Sequence, residues 1–204
     1  MIYISLQNSF DVVNFRSMER TSDILSVFRK FAGFKLLEFF LFNPGKEFHL
    51  KEIARRANLS PSTVKFYGEL FLKFKILEER KAGNQRFFRL NSEDYLIKRL
   101  KTTYGALLIK SLFLEEIAPD ALTIAAYGGF VRGEFDRNSD LDVLVIGDEK
   151  ALVMEKLRQK EEQAGLEIEV SIYPFHVWEK MKKESNPFVR SVLENHIIIK
   201  GEGL

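Results

Sequence analysis

The stretch that most restricts the fold is Tyr127-Gly128-Gly129-Phe130-Val131-Arg132-Gly133-Glu134, followed closely by Ser139-Asp140-Leu141-Asp142. Apolar runs flank it, Ala121 to Tyr127 before the glycines and Leu141 to Ile146 after the first acid, and both read as strands. Two glycines directly after a strand let the backbone approach a ligand closely, and free N–H groups near a helix start can cradle a polyphosphate. Asp140 and Asp142 alternate with Leu141, so on a strand both carboxylates point to one face. Such a pair, without cysteine or histidine, suits magnesium, which prefers oxygen ligands and keeps phosphate and water in its shell. A glycine pair alone is usually a turn and Asp-x-Asp alone a surface feature; the signal lies in their order and spacing.

This constellation resembles the nucleotidyltransferase superfamily related to polymerase beta, and its minimal members in particular. Their pattern is a hydrophobic residue, Gly, Gly or Ser, a spacer, then Asp-hydrophobic-Asp. Tyr127-Gly128-Gly129 and Asp140-Leu141-Asp142 satisfy it. Gly128 to Glu134 also follows the common Gly-Ser-x-Ala-Arg-Gly-Glu form, with Gly129 for Ser and Val131 for Ala. The resemblance covers about residues 120–202. It implies a third acid on a neighbouring strand after a glycine, usually aspartate; here Gly165-Leu166-Glu167-Ile168-Glu169-Val170 offers Glu169 at the better spacing and Glu167 in reserve.

What the resemblance implies chemically is transfer of a nucleoside monophosphate from a triphosphate, ATP favoured, to a protein or nucleic-acid acceptor. Asp140, Asp142 and Glu169 are the expected catalytic and metal-holding residues for two magnesium ions. Glu169 either completes the second ion's shell or takes the acceptor's proton. Gly128, Gly129, Arg132 and Ser139 are the expected nucleotide-binding residues, with Arg132 open to a second role as a structural ion pair.

The amino-terminal half carries a different order. From Ser22 the apolar positions Ile24, Leu25, Phe28, Phe31, Leu36, Leu37 and Phe40 recur at helical steps until Asn43-Pro44-Gly45 ends them. A second helix is expected from about Leu50 to Ala57. Ser60-Pro61 opens a third, with serine capping and proline tolerated at the first position; Val64, Gly68, Phe71 and Phe74 form its stripe. Ile76 to Arg80 and Arg86 to Leu90 read as strands joined by the five residues 81–85. This order, and the segment from His49 to Val64, resemble a winged helix-turn-helix, departing at Gly68 and at Lys75, where such sequences often carry a helix-ending glycine. The resemblance implies double-stranded DNA as partner, contacted by Ser60, Ser62, Thr63, Lys65 and Phe66 on the third helix and by Lys81 and Arg86 on the wing, with Asn84, Gln85, Arg55 and Arg56 nearby. It also implies a homodimer, for which the aromatic helix Phe31 to Phe42 is either the interface or plain core.

Charge divides the same way. Residues 46–101 hold 14 Lys/Arg against 7 Asp/Glu, whereas residues 115–204 hold 11 against 18, so a formal +2 conceals a basic half and an acidic half. The chain of 204 residues lacks cysteine, which removes thiolate chemistry, and His49, His176 and His196 have no metal-ligand spacing. No apolar run reaches membrane-spanning length and no secretory signal is visible, so a soluble, cytoplasmic protein is expected.

The fold expected is α+β. Residues 1–21 are an extension of uncertain status, with Met18 an alternative start. A winged helix-turn-helix covers 22–91, a connecting helix 92–116, and an α/β nucleotidyltransferase-like domain with a short mixed sheet 117–204. Three functions fit: an enzyme with a DNA-targeting head, a transcriptional regulator whose tail senses nucleotide without turnover, and an antitoxin acting on a toxin.

Overall fold

The computed structural model describes residues 23–204. The question of Met18, and the extension before it, lie outside those residues. Where one long helix was expected from Ser22, two occur: α1 (Ile24–Phe28), capped by Asp23, and α2 (Ala32–Leu41). Phe31 between them is extended and 63 % exposed, so the apolar spacing that suggested continuity included a residue that faces solvent. Gly33 then brings α2 against the next layer, since a β-carbon there would stand 2.7 Å from the Tyr67 ring. Most of the aromatic residues of α2 are core: Phe39 and Phe40 are buried, and Phe42 packs on Tyr104 and Phe135.

A two-residue strand β1 (Phe48–His49) precedes α3 (Leu50–Arg56) and α4 (Pro61–Lys73). His49 caps α3 through Nδ1, and Ser60 caps α4 by accepting from the Thr63 N–H. Lys75 takes the left-handed conformation, φ 57°, at the position where a helix-ending glycine was noted to be missing. Strands β2 (Leu77–Ala82) and β3 (Gln85–Leu90) meet through Gly83-Asn84 alone. Gly83, at φ 58°, supplies the positive φ that the first position of a II′ turn demands, so the loop is two residues rather than five. The three strands form an antiparallel sheet in the order β1-β3-β2. Phe74, expected in the buried stripe of α4, is 61 % exposed because the helix has ended at Lys73.

Helix α5 (Tyr95–Ser111) does more than connect. Its Ile97, Tyr104, Leu108 and Ile109 are buried, and Gly105 sits so close to the carbonyl of Phe130 that a β-carbon would come within 2.1 Å of its oxygen. One hydrophobic cluster therefore runs from Leu25 and Phe88 in the amino-terminal half through Tyr104 to Phe135 and Ile168 in the other. Phe130 and Phe135 stack within it at 4.5 Å.

After a 3-10 turn (Leu114–Ile117), a four-stranded mixed sheet forms in the order β6-β5-β4-β7, from β4 (Thr123–Tyr127), β5 (Leu141–Ile146), β6 (Ile168–Tyr173) and β7 (His196–Lys200). Only β5 and β6 are parallel, joined by the crossover helix α7 (Met154–Ala164) that Gly165 ends in the left-handed conformation. Before α7, residues Glu149–Ala151 form a 3-10 turn, separated from it by the extended Leu152 and Val153. The short α6 (Gly128–Arg132) lies between β4 and β5; α8 (Phe175–Lys183) and α9 (Pro187–Glu194) complete the domain. Leu141, Val143 and Val145 point into the large core, while Leu144 and Ile146 pack with Trp178, Val189 and Val192 on the other face. Among the described residues no helix is long and apolar enough to cross a membrane.

Candidate active site

The sheet register brings the predicted acids together. Asp142, second residue of β5, pairs with Tyr127 across the antiparallel ladder and with Glu169 across the parallel one. Strand alternation puts Asp142 and Glu169 on the face of Leu144 and Ile146, away from the large core. Asp140 lies just before β5 and is exposed, as is Glu169; Asp142 is half-buried. Neither Glu167 nor its carboxylate figures in this arrangement, although its backbone carbonyl accepts from the Leu141 N–H.

Gly128 explains how Asp142 fits. Its φ is 74°, and a β-carbon on it would stand 1.9 Å from Asp142 Oδ2. Glycine is thus needed twice, for the backbone conformation and for the space the carboxylate fills. The backbone N–H of Gly129 lies near that same carboxylate and lowers its pKa. Burial has the larger effect and, with the negative charges of Glu169 and Asp140, holds the Asp142 carboxyl above the ordinary aspartate range. A half-buried carboxylate facing two others has excess negative charge that a cation would relieve.

Two predicted nucleotide-binding side chains have partners of their own. Arg132 Nε lies 2.7 Å from Glu134 Oε2, an ion pair that still leaves its charge close enough to lower the Asp142 pKa. Ser139 Oγ accepts from the Asp136 N–H at 2.9 Å and shapes the loop before β5. Sequence reasoning missed a pair of hydroxyls beside the acids: Tyr127 Oη and Ser171 Oγ stand 3.2 Å apart. Ser171 follows Glu169 by two residues on β6, so strand periodicity could have found it. Burial, then the charges of Asp142 and Glu169, raise the Tyr127 pKa, while Ser171 opposes the shift.

Among the described residues, no group of three His, Asp or Glu side chains stands close enough together to form a ready-made metal cage. Magnesium does not require one, since it is commonly held by one or two carboxylates with substrate phosphates completing the octahedron. The donor set, all oxygen and mutually repelling, fits that ion.

In the amino-terminal half, Ser60, Ser62, Lys65 and Phe66 are exposed on the start of α4, and Thr63 is partly covered. Ser60 Oγ lies 2.8 Å from both Ser62 Oγ and Thr63 Oγ1. Lys81 is exposed on β2. Arg86 differs: its guanidinium is held by both Glu69 and Glu79, which push its pKa further up. Arg56 pairs with Glu52 at 2.7 Å, leaving Arg55 exposed.

Residues 110–199 match the family model described as a nucleotidyltransferase domain. That match spans the glycine turn, all three acids and every strand of the mixed sheet except the last residue of β7. No curated protein matches the chain.

Proposed function

We propose that the carboxy-terminal half transfers a nucleoside monophosphate from a triphosphate, ATP favoured, to a protein or nucleic-acid acceptor. The observation that carries this reading is the packing of the Asp142 carboxylate against Gly128, with Asp140 and Glu169 adding their charge. Asp140 and Asp142, joined by Glu169, would hold magnesium, whose positive charge lets carboxylates and phosphates share one site. The glycine turn exposes backbone to the outer phosphates. Glu169, exposed opposite Asp142, would either complete the second ion's shell or take the proton released by an attacking hydroxyl. Arg132, although paired with Glu134, brings positive charge close to Asp142 and would help neutralise the pyrophosphate.

The amino-terminal half is read as a winged helix-turn-helix that holds double-stranded DNA, on the strength of its element order, its three-stranded antiparallel sheet and the exposed start of α4. Arg86, tied to two carboxylates, contributes less to this surface than Lys65 and Lys81.

Incubation with α-labelled ATP, magnesium or manganese and lysate from the native cells tests the reading. Label should pass to an acceptor and vanish with Asp140→Ala plus Asp142→Ala; transfer that survives both substitutions overturns it. A second reading, a tail that binds nucleotide without turnover, draws on Glu169 standing where the resembling family usually carries aspartate. Saturable magnesium-dependent ATP binding with no labelled product in any lysate fraction would favour it.

A further inference from the structure

A cavity of about 420 Å³ opens where the two halves meet, away from the acids. Its walls come from α1, α2, the end of α3, the loop before β5 and the turn between α7 and β6. Ala164 and Leu166, which line it, pack against the large core, so it lies across the sheet edge from the face that carries Asp142 and Glu169. Its size falls within the range that holds a nucleotide-sized molecule, roughly 300–1,000 Å³.

Four cations line it, Arg29, Lys35, Arg56 and Arg137, against one acid, Glu38. Glu38 is already occupied, holding Arg29 at 2.6 Å and accepting from the buried Tyr104 hydroxyl. Arg56 is balanced by Glu52. Lys35 and Arg137 have no ion-pair partner among the described residues, so two unbalanced positive charges face one cavity from opposite halves of the chain. The third element is Asn43, only 3 % exposed. Its Nδ2 donates to the Phe39 carbonyl at 2.7 Å, and its Oδ1 accepts no hydrogen bond among the described residues, although the residue lines the cavity. That leaves the amide oxygen available to accept an N–H from an occupant. Phe39, Phe42 and Leu166 add apolar wall.

We propose that this cavity binds a nucleoside phosphate, with Lys35 and Arg137 on its phosphates, Asn43 Oδ1 accepting from an amino group of the base, and the aromatic wall against the ring. Because Arg137 lies three residues before Asp140 and Arg56 ends the helix before α4, an occupant touches the loop that sets the acidic site and the head at once. The site is therefore an effector site linking the two halves, and it does not require that the acidic site turn over.

Calorimetric titration of ATP into the full chain in EDTA tests the idea, because without divalent ions the three carboxylates repel phosphate, and the double variant below separates the cavity from the basic surface of α4 and the wing. Saturable binding should persist in Asp142→Asn and weaken at least tenfold in the double variant Lys35→Ala, Arg137→Ala, whose melting curve should match the parent's since neither side chain has a partner to lose. Inorganic tripolyphosphate should bind more weakly than ATP, for lack of a base. Absence of saturable binding, equal affinity in the double variant, loss of binding in Asp142→Asn, or tripolyphosphate binding as tightly as ATP would each overturn the proposal. All of these are read without any transfer reaction, so failure here is separable from failure of the transferase reading.

Discussion

The two halves treat their charges in opposite ways. Around the small antiparallel sheet arginines pair with carboxylates: Glu47 with Arg80, Glu78 with Arg89, Glu69 and Glu79 with Arg86. On one face of the mixed sheet Asp140, Asp142 and Glu169 lie together with no ion pair among the described residues, and burial with this mutual repulsion holds Asp142 above its ordinary range. Exposed pairs are worth little, typically under 1 kcal/mol, so the head's lacing tidies a solvated surface without storing much. The unpaired acids are an electrostatic cost, of the kind that concentrates at functional sites.

Substitution of the glycines should give the widest separation between the halves. Gly128→Ala places a methyl group into the Asp142 carboxylate at a positive φ, so we expect a loss of about 3 kcal/mol of stability and more than 100-fold in transfer activity. Gly83→Ala, at φ 58° with nothing within 4 Å, should cost only about 1 kcal/mol and leave transfer unchanged. Denaturant melts of the two variants give both numbers; equal costs would remove the special status of the glycine turn.

Asp142→Asn should abolish transfer yet stabilise the metal-free protein. A carboxyl whose folded pKa is raised favours folding below the unfolded value and loses that advantage as pH rises through the folded one. The variant should therefore melt about 1–3 °C higher than the parent at pH 7 in EDTA, and the gain should disappear as pH falls below the ordinary aspartate range. A variant less stable at pH 7 would mean that Asp142 already has a compensating partner.

In the head the effects should be smaller and graded by existing partners. Lys65→Ala should weaken duplex binding in fluorescence anisotropy and reduce the slope of log affinity against log salt by about 1. Arg86→Ala should leave that slope nearly unchanged, because its charge is already balanced by Glu69 and Glu79. A slope unchanged from the parent in both variants would show that neither Lys65 nor Arg86 touches phosphate.

The acids were legible in the sequence because strand alternation is a fixed geometric rule: once Leu141 is buried, its neighbours must face the other way. Register was not legible. That Glu169 rather than Glu167 stands opposite Asp142 depends on how β6 slides along β5, which is set by long-range packing that the local pattern does not encode. The partners of Arg86 were hidden for the same reason, whereas that of Arg132 lies only two residues along the chain. Helix boundaries failed where exposed apolar residues imitated a buried stripe, at Phe31 and Phe74. The role of α5 was underestimated because Gly105, the residue that lets it approach Phe130, shows in sequence only as a weak point in a helix.

The central claim is that the carboxylate beside Gly128 is kept energetically dissatisfied until a cation arrives. Carboxyl-detected NMR titration of the full chain, labelled at aspartate, measures this on Asp142 itself. The account predicts titration above the ordinary aspartate range in EDTA and a fall when magnesium and a non-hydrolysable ATP analogue are added. Titration at the ordinary aspartate value, indifferent to both additions, would contradict it.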